Sequence, residues 1–160
     1  MRCRPLLLVV LTLSLFFATG CKPSSASLMA AVKADDTAEA IKLIGKGADP
    51  NSRTSPNGWS ALHYAARNGN VEIVQALLKA GADANYAGDM EGQTGPIVSQ
   101  KPLAAAMGTS NLLSEIPADQ MEETLRKAGV DDPALLKSMK DPKAAERYQK
   151  VVDLLTKATK

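Results

Sequence analysis

A short all-α solenoid, built from stacked helical hairpins, is the fold class this sequence predicts. Three observations predict it. The string Gly47-Ala48-Asp49-Pro50-Asn51 recurs as Gly81-Ala82-Asp83-Ala84-Asn85, a shift of 34 residues. At that same shift Leu28 falls on Leu62, Ala31 on Ala65, Leu43 on Leu77 and Ile44 on Leu78. Around these positions, apolar residues return at helical spacing between turn and capping residues. A unit of this size cannot bury its apolar stripe alone, so neighbouring units have to stack.

The elements follow in order. Residues 1–20 carry Arg2 and Arg4, an apolar run from Leu6 to Phe17, and small residues at Ala18-Thr19-Gly20. That is the layout of a cleaved secretory leader. Ala18-Thr19-Gly20-Cys21 resembles the lipobox of bacterial lipoproteins, although that family prefers leucine where Ala18 stands. The resemblance implies cleavage before Cys21, acylation of Cys21 and a membrane tether. Lys22 stands where some bacteria place an inner-membrane retention aspartate. The same family rule therefore implies the outer membrane, with the chain facing the periplasm. Several acyl chains, at about 0.8 kcal/mol per buried methylene, hold far better than one. The alternative is an ordinary leader with an incidental cysteine. After cleavage Cys21 is the only cysteine, which leaves no internal disulfide. Residues 21–27 then read as a lipidated tether.

Residues 28–110 hold the repeats. The first unit has a helix over Leu28–Lys33, a turn at Asp35-Asp36 and a helix over Thr37–Ile44. The second has Ala61–Asn68, a turn at Gly69-Asn70 and Val71–Lys79. Gly58-Trp59-Ser60-Ala61-Leu62-His63-Tyr64-Ala65-Ala66, followed by Gly69, Val71, Val74, Leu77-Leu78 and Asn85, resembles an ankyrin repeat. The period is one above that family's 33, which one extra residue within 52–57 accounts for. A degenerate third unit begins at Lys101-Pro102-Leu103-Ala104-Ala105-Ala106 and finishes at Val151 and Leu154-Leu155. An insertion the family pattern lacks lies between them.

Residues 111–160 therefore read as a helical insertion and C-terminal cap. Pro117 is expected to open a helix with Met121 and Leu125 inside and a stop at Gly129. Asp132-Pro133 introduces a second with Leu135, Leu136 and Met139. Asp141-Pro142 introduces the last, with Ala145, Tyr148, Val152 and Leu155 on one face.

Composition excludes several functions. The charged fraction is 22% and the hydrophobic fraction 45%, ordinary for one globular domain. Removing Arg2 and Arg4 from 19 basic residues leaves 17 against 17 acidic ones, so a basic nucleic-acid footprint is missing. Aromatics are only 4%, against a deep aromatic ligand pocket. His63 is the single histidine, and Ser60 beside it has no oxyanion hole or strained nucleophile turn. In the ankyrin pattern such a histidine packs and bonds within the turn. One histidine and an acylated cysteine close no metal shell. Gly88-Asp89-Met90-Glu91-Gly92 lacks calcium-loop spacing, and no phosphate cradle follows. No enzyme and no cofactor are expected.

What remains is binding. In solenoids the turn tips and first helices form one surface. Here Arg53, Trp59, Tyr64, Arg67, Tyr86, Met90 and Gln93 supply it, rich in the residue types that dominate interfaces. Trp59 has the alternative of packing on the neighbouring turn. The expected function is a non-enzymatic, lipid-anchored protein that binds a protein partner. Ankyrin-like lipoproteins suggest an immunity protein against a secreted toxin, with an envelope scaffold or stress adaptor as the alternative.

Overall fold

The computed structural model describes residues 23–53, 58–88, 101–117, 119–127 and 131–160. Among them are α1 (Ser25–Lys33), α2 (Thr37–Gly45), α3 (Ala61–Arg67), α4 (Val71–Lys79) and α5 (Pro102–Glu115). The chain continues through α6 (Met121–Lys127), α7 (Pro133–Met139) and α8 (Ala144–Ala158). Among the described residues, an antiparallel bridge joins Arg53 to Ser60.

Three hairpins stack. α1 packs on α2, α3 on α4 and α5 on α8 within each layer. Between layers, α1, α3 and α5 form one row, while α2, α4 and α8 form the other. The third layer is thus α5 with α8, the pairing that Pro102-Leu103 and Leu154-Leu155 predicted. α5 runs unbroken past residue 110, where the sequence had placed the end of the repeats.

Local chemistry explains the helix starts. The Asp36 carboxylate accepts the Glu39 amide at 3.1 Å, and the Asn70 side chain accepts that of Ile73 at 3.0 Å. Each such cap contributes about 1 kcal/mol. Ser24 does the same for α1, accepting the Ser27 amide at 3.2 Å. α1 therefore begins at Ser25, and Ser25–Ser27, expected in the flexible tether, form its first turn. α6 begins at Met121, later than Pro117 suggested, because the Gln120 amide bonds the Pro117 carbonyl in a separate turn. α8 buries Ala144, Tyr148, Val151 and Leu155, whereas Ala145 is exposed and Val152 half-buried. The register shifts because the Asp141 carboxylate accepts the Lys143 amide at 2.8 Å and delays the helix to Ala144.

The repeated Gly-Ala-Asp-x-Asn string has a physical cause. Asp49 and Asp83 each accept the amide two residues on, from Asn51 at 2.9 Å and Asn85 at 2.8 Å. The Asn51 side chain then bridges units, donating to the Gly81 carbonyl at 3.2 Å and accepting from the Asp83 amide at 2.9 Å. Beneath the turns lies one core. Leu28, Val32, Leu62, Ile73, Val74, Leu77, Val151 and Leu155 are fully buried. Each leucine contributes about 2 kcal/mol at ~25 cal/mol per Å². Ala61, Ala65, Ala66 and Ala106, also fully buried, allow the close approach of first helices. Met121, Leu125, Leu135 and Met139 form a second, smaller core against Leu112 and Leu113 of α5 and Ile116 just beyond it.

Candidate functional site

The best-organised polar and aromatic chemistry lies where the first turn meets α3. Ser60 caps α3, with its amide donating to the His63 Nδ1 at 3.2 Å and its hydroxyl 2.8 Å from the same nitrogen. His63 is fully buried, so its Nδ1 serves the helix start and does not face solvent. The ring stacks on Trp59 at 5.6 Å and meets Tyr86 edge-on at 5.9 Å. Trp59 meets Tyr64 at 5.1 Å in a T-shaped contact. Offset and edge-on rings at these separations are mutually stabilising.

Cations cover this aromatic floor. Arg53 lies 4.0 Å over the Tyr86 ring, Lys33 lies 4.9 Å over Tyr64, and Arg67 sits over both Tyr64 and Trp59 at 5.3 and 5.6 Å. The face of each ring carries negative charge density and attracts them. Arg67 also forms an ion pair with Asp132, the N-cap of α7. Asp132 itself accepts the amides of Ala134 and Leu135 at 3.1 and 3.2 Å.

The residues singled out in the sequence are therefore placed unequally. Trp59 and Tyr64 are only 4% and 7% exposed and act as floor. Arg67 and Tyr86 are half-buried, and Arg53 is exposed. Met90, Gln93 and Cys21 lie outside the described residues. Two residues escaped the sequence reading. Lys33 occupies the position of Arg67 one repeat earlier, so the shift of 34 would have found it. Asp132 carried only a capping signal, and nothing local tells that a cap will reach Arg67.

Beside this cluster Tyr148 of α8 closes on the α3–α4 turn. Its hydroxyl donates to the Arg67 carbonyl at 2.7 Å and lies 3.1 Å from the Ser138 hydroxyl. Burial pushes the phenol up to about 12, against the lowering effect of Ser138. Asp35, in the first α–α turn, is raised by burial, with the Asn70 hydrogen bond pulling the other way. Among the described residues no group of three or more His, Cys, Asp or Glu is placed to hold a metal. No helix there is long and apolar enough to cross a membrane.

Stacked hairpins with projecting turn tips and a preformed polar-aromatic surface define a helical-repeat binding module. A family model for ankyrin repeats, in three copies, matches residues 28–111, and the chain belongs to that family. Ankyrin repeats mediate protein–protein interaction, which makes this a binding domain by family. The chain is 48% identical over 69 residues to the mitochondrial disaggregase of Bos taurus, covering 42% of this chain and 10% of that protein. It is 31% identical over 105 residues to ankyrin repeat domain-containing protein 40 of Mus musculus, covering 64% and 26%. To the 2-5A-dependent ribonuclease of Mus musculus it is 44% identical over 57 residues, covering 36% and 8%. It thus spans only 8 to 26% of the length of these relatives.

Proposed function

We propose that this chain is a lipid-anchored protein of the bacterial envelope, cut before and acylated at Cys21. On this reading it faces the periplasm from the outer membrane and binds a protein partner through its turn tips and first helices. One observation carries the binding reading. Arg53 and Lys33 stand exposed on a rigid aromatic floor, with no carboxylate paired to either among the described residues. Rigid, pre-placed cations lose little freedom when a partner's carboxylates meet them. The basic n-region, apolar run and Ala18-Thr19-Gly20-Cys21 support the anchor. The narrower role we assign is that of an immunity protein, whose face covers the active-site mouth of a secreted toxin at the membrane.

The experiment compares wild type with the Lys33→Glu/Arg53→Glu variant as paired baits in envelope extract. A partner recovered by wild type should be lost by about tenfold or more from the variant, a difference of about 1.4 kcal/mol. Both baits must melt alike. Failure of any protein to distinguish the baits sinks the binding reading. A partner of housekeeping type, with a growth defect in the absence of any toxin, replaces immunity by an envelope scaffold. Cys21→Ala is expected to abolish lipid labelling and leave precursor uncut.

A further inference from the structure

The start of α1 limits how far the domain can stand from its anchor. Ser24 is the N-cap and Ser25 the first helical residue. From Cys21 to Ser24 the chain can span no more than ~10 Å. That is about one Debye length at physiological salt (~8 Å), so charges near Ser24 act on the anchoring surface at reduced strength.

The fold decides which charges those are. Ser24 and Ser25 share one groove with Ile44, Pro50 and Ala80, which puts the tether beside the C-terminal ends of α2 and α4. α8 runs parallel to α4, because Val71 and Glu72 at the start of α4 share one groove with Arg147 and Lys150, and Val71 and Gln75 share the next with Lys150, Leu154 and Lys157. The three second helices therefore end on the same edge as the tether. Lys46, Lys79, Lys157 and Lys160 stand exposed on that edge, and none forms an ion pair among the described residues. The acidic first turns, with Glu39, Glu72 and Glu146, lie at the opposite edge. Among the described residues Asp49 and Asp83 lie near the basic edge, each accepting an amide of its own turn, and Asp153, one turn before Lys157, accepts from the Gln149 side chain at 3.0 Å. The helix dipole accounts for lysines at each helix end. Stacking in parallel is what gathers them into one rim.

We propose that this edge is a lipid-facing surface, with the basic ends of α2, α4 and α8 resting on the anionic headgroups of the membrane that holds Cys21. The proposal rests on the anchor reading above. Juxtamembrane lysines are attracted to anionic headgroups over this range. It also places the 49–53 turn tip, with Arg53, close to the bilayer, so the partner is one met at the membrane surface.

The test uses the full lipidated chain in vesicles of phosphatidylethanolamine with a minority of phosphatidylglycerol and headgroup-spin-labelled lipid. A fluorophore is placed at the basic edge in the Lys79→Cys variant, or at the opposite edge in Lys140→Cys. Quenching should be severalfold stronger at position 79. Lys46→Glu/Lys157→Glu together with a Gly-Ser spacer between Lys22 and Pro23 should erase that contrast. Mass spectrometry of Cys21 separates the two ideas. An acylated protein with equal quenching at both edges overturns the orientation alone. An unacylated Cys21 overturns the anchor, and the orientation falls with it.

Discussion

Two ways of joining a first helix to a second stand side by side. α3 reaches α4 through Asn68–Asn70, whereas α5 reaches α8 only after residues 116–143. In the short turn Gly69 holds φ at +66°, and the Tyr148 ring lies 2.8 Å from where a Cβ would sit. Asn70 caps α4 and also donates to Asp35 at 2.8 Å and Thr37 at 2.7 Å in the previous unit. Asp35 adopts the same left-handed conformation, φ 57°, one repeat earlier. The long connection has no such economy. It carries its own small core and is fastened to the stack by Asp132 on Arg67 and, just beyond its end, by Tyr148 on the Arg67 carbonyl. A tight turn is specified by one backbone geometry and one cap. A long excursion needs buried apolar area of its own and anchors to the stack.

That contrast can be broken or sharpened by mutation. Tyr148→Ala should have the largest effect, about 3–5 kcal/mol in chemical unfolding, since it empties the seat where the excursion joins the middle layer. Leu77→Ala and Leu125→Ala remove the same atoms from the two cores, nominally about 2–5 kcal/mol each. Leu77→Ala should loosen every layer. Leu125→Ala should cost hydrogen-exchange protection over α6 and α7 while α3 and α4 stay protected. One shared transition for both variants would end the distinction between regions.

Gly69→Ala should cost about 2–3 kcal/mol, from the left-handed φ and the ring contact together. Its cost should shrink when combined with Tyr148→Ala, by about 0.5 kcal/mol or more, because the two sites touch. Tyr148→Phe should cost about 1 kcal/mol at neutral pH through its lost hydrogen bonds. The phenol is raised to about 12 in the folded chain, so its contribution is full below pH ~10 and lost as pH rises through 10 to 12. A pH series of melting temperatures should show that alkaline slope in wild type and not in the variant. The smallest effect is at Asp35. Burial raises its pKa in the folded chain, so wild type loses stability as pH climbs from the ordinary aspartate value through the folded one. Asp35→Asn should remove this slope and be slightly more stable at neutral pH, within ~0.5 kcal/mol.

Much of the stack was legible because its signals are local and repeated. Asp49 and Asn51 recur as Asp83 and Asn85, and the bonds they make are short-range or reach only the adjacent turn. Leu103 and Leu154-Leu155 carried enough of the pattern to pair α5 with α8 across the insertion. The start of α1 was hidden because Ser-Ser-Ala-Ser has the composition of a linker, although its first serine is a competent cap. The phase of α8 depended on a turn at Asp141 that favours neither Ala144 nor Ala145 by composition. Tyr64 read as a contact residue, and Trp59 as either contact or packing on the turn, because residue type does not report direction. Their burial follows from Lys33 and Arg67 lying across them.

Helical periodicity, caps and the shift of 34 were enough to set the number of layers and the hairpin inside each, since those rest on neighbours in the chain. Which charges gather on one edge, and which aromatic rings lie beneath cations, was decided only when parallel helices stacked. Arg67 and Asp132, far apart in sequence, meet because α3 and the small core of α6 and α7 both pack against α5. No local pattern encodes that distance.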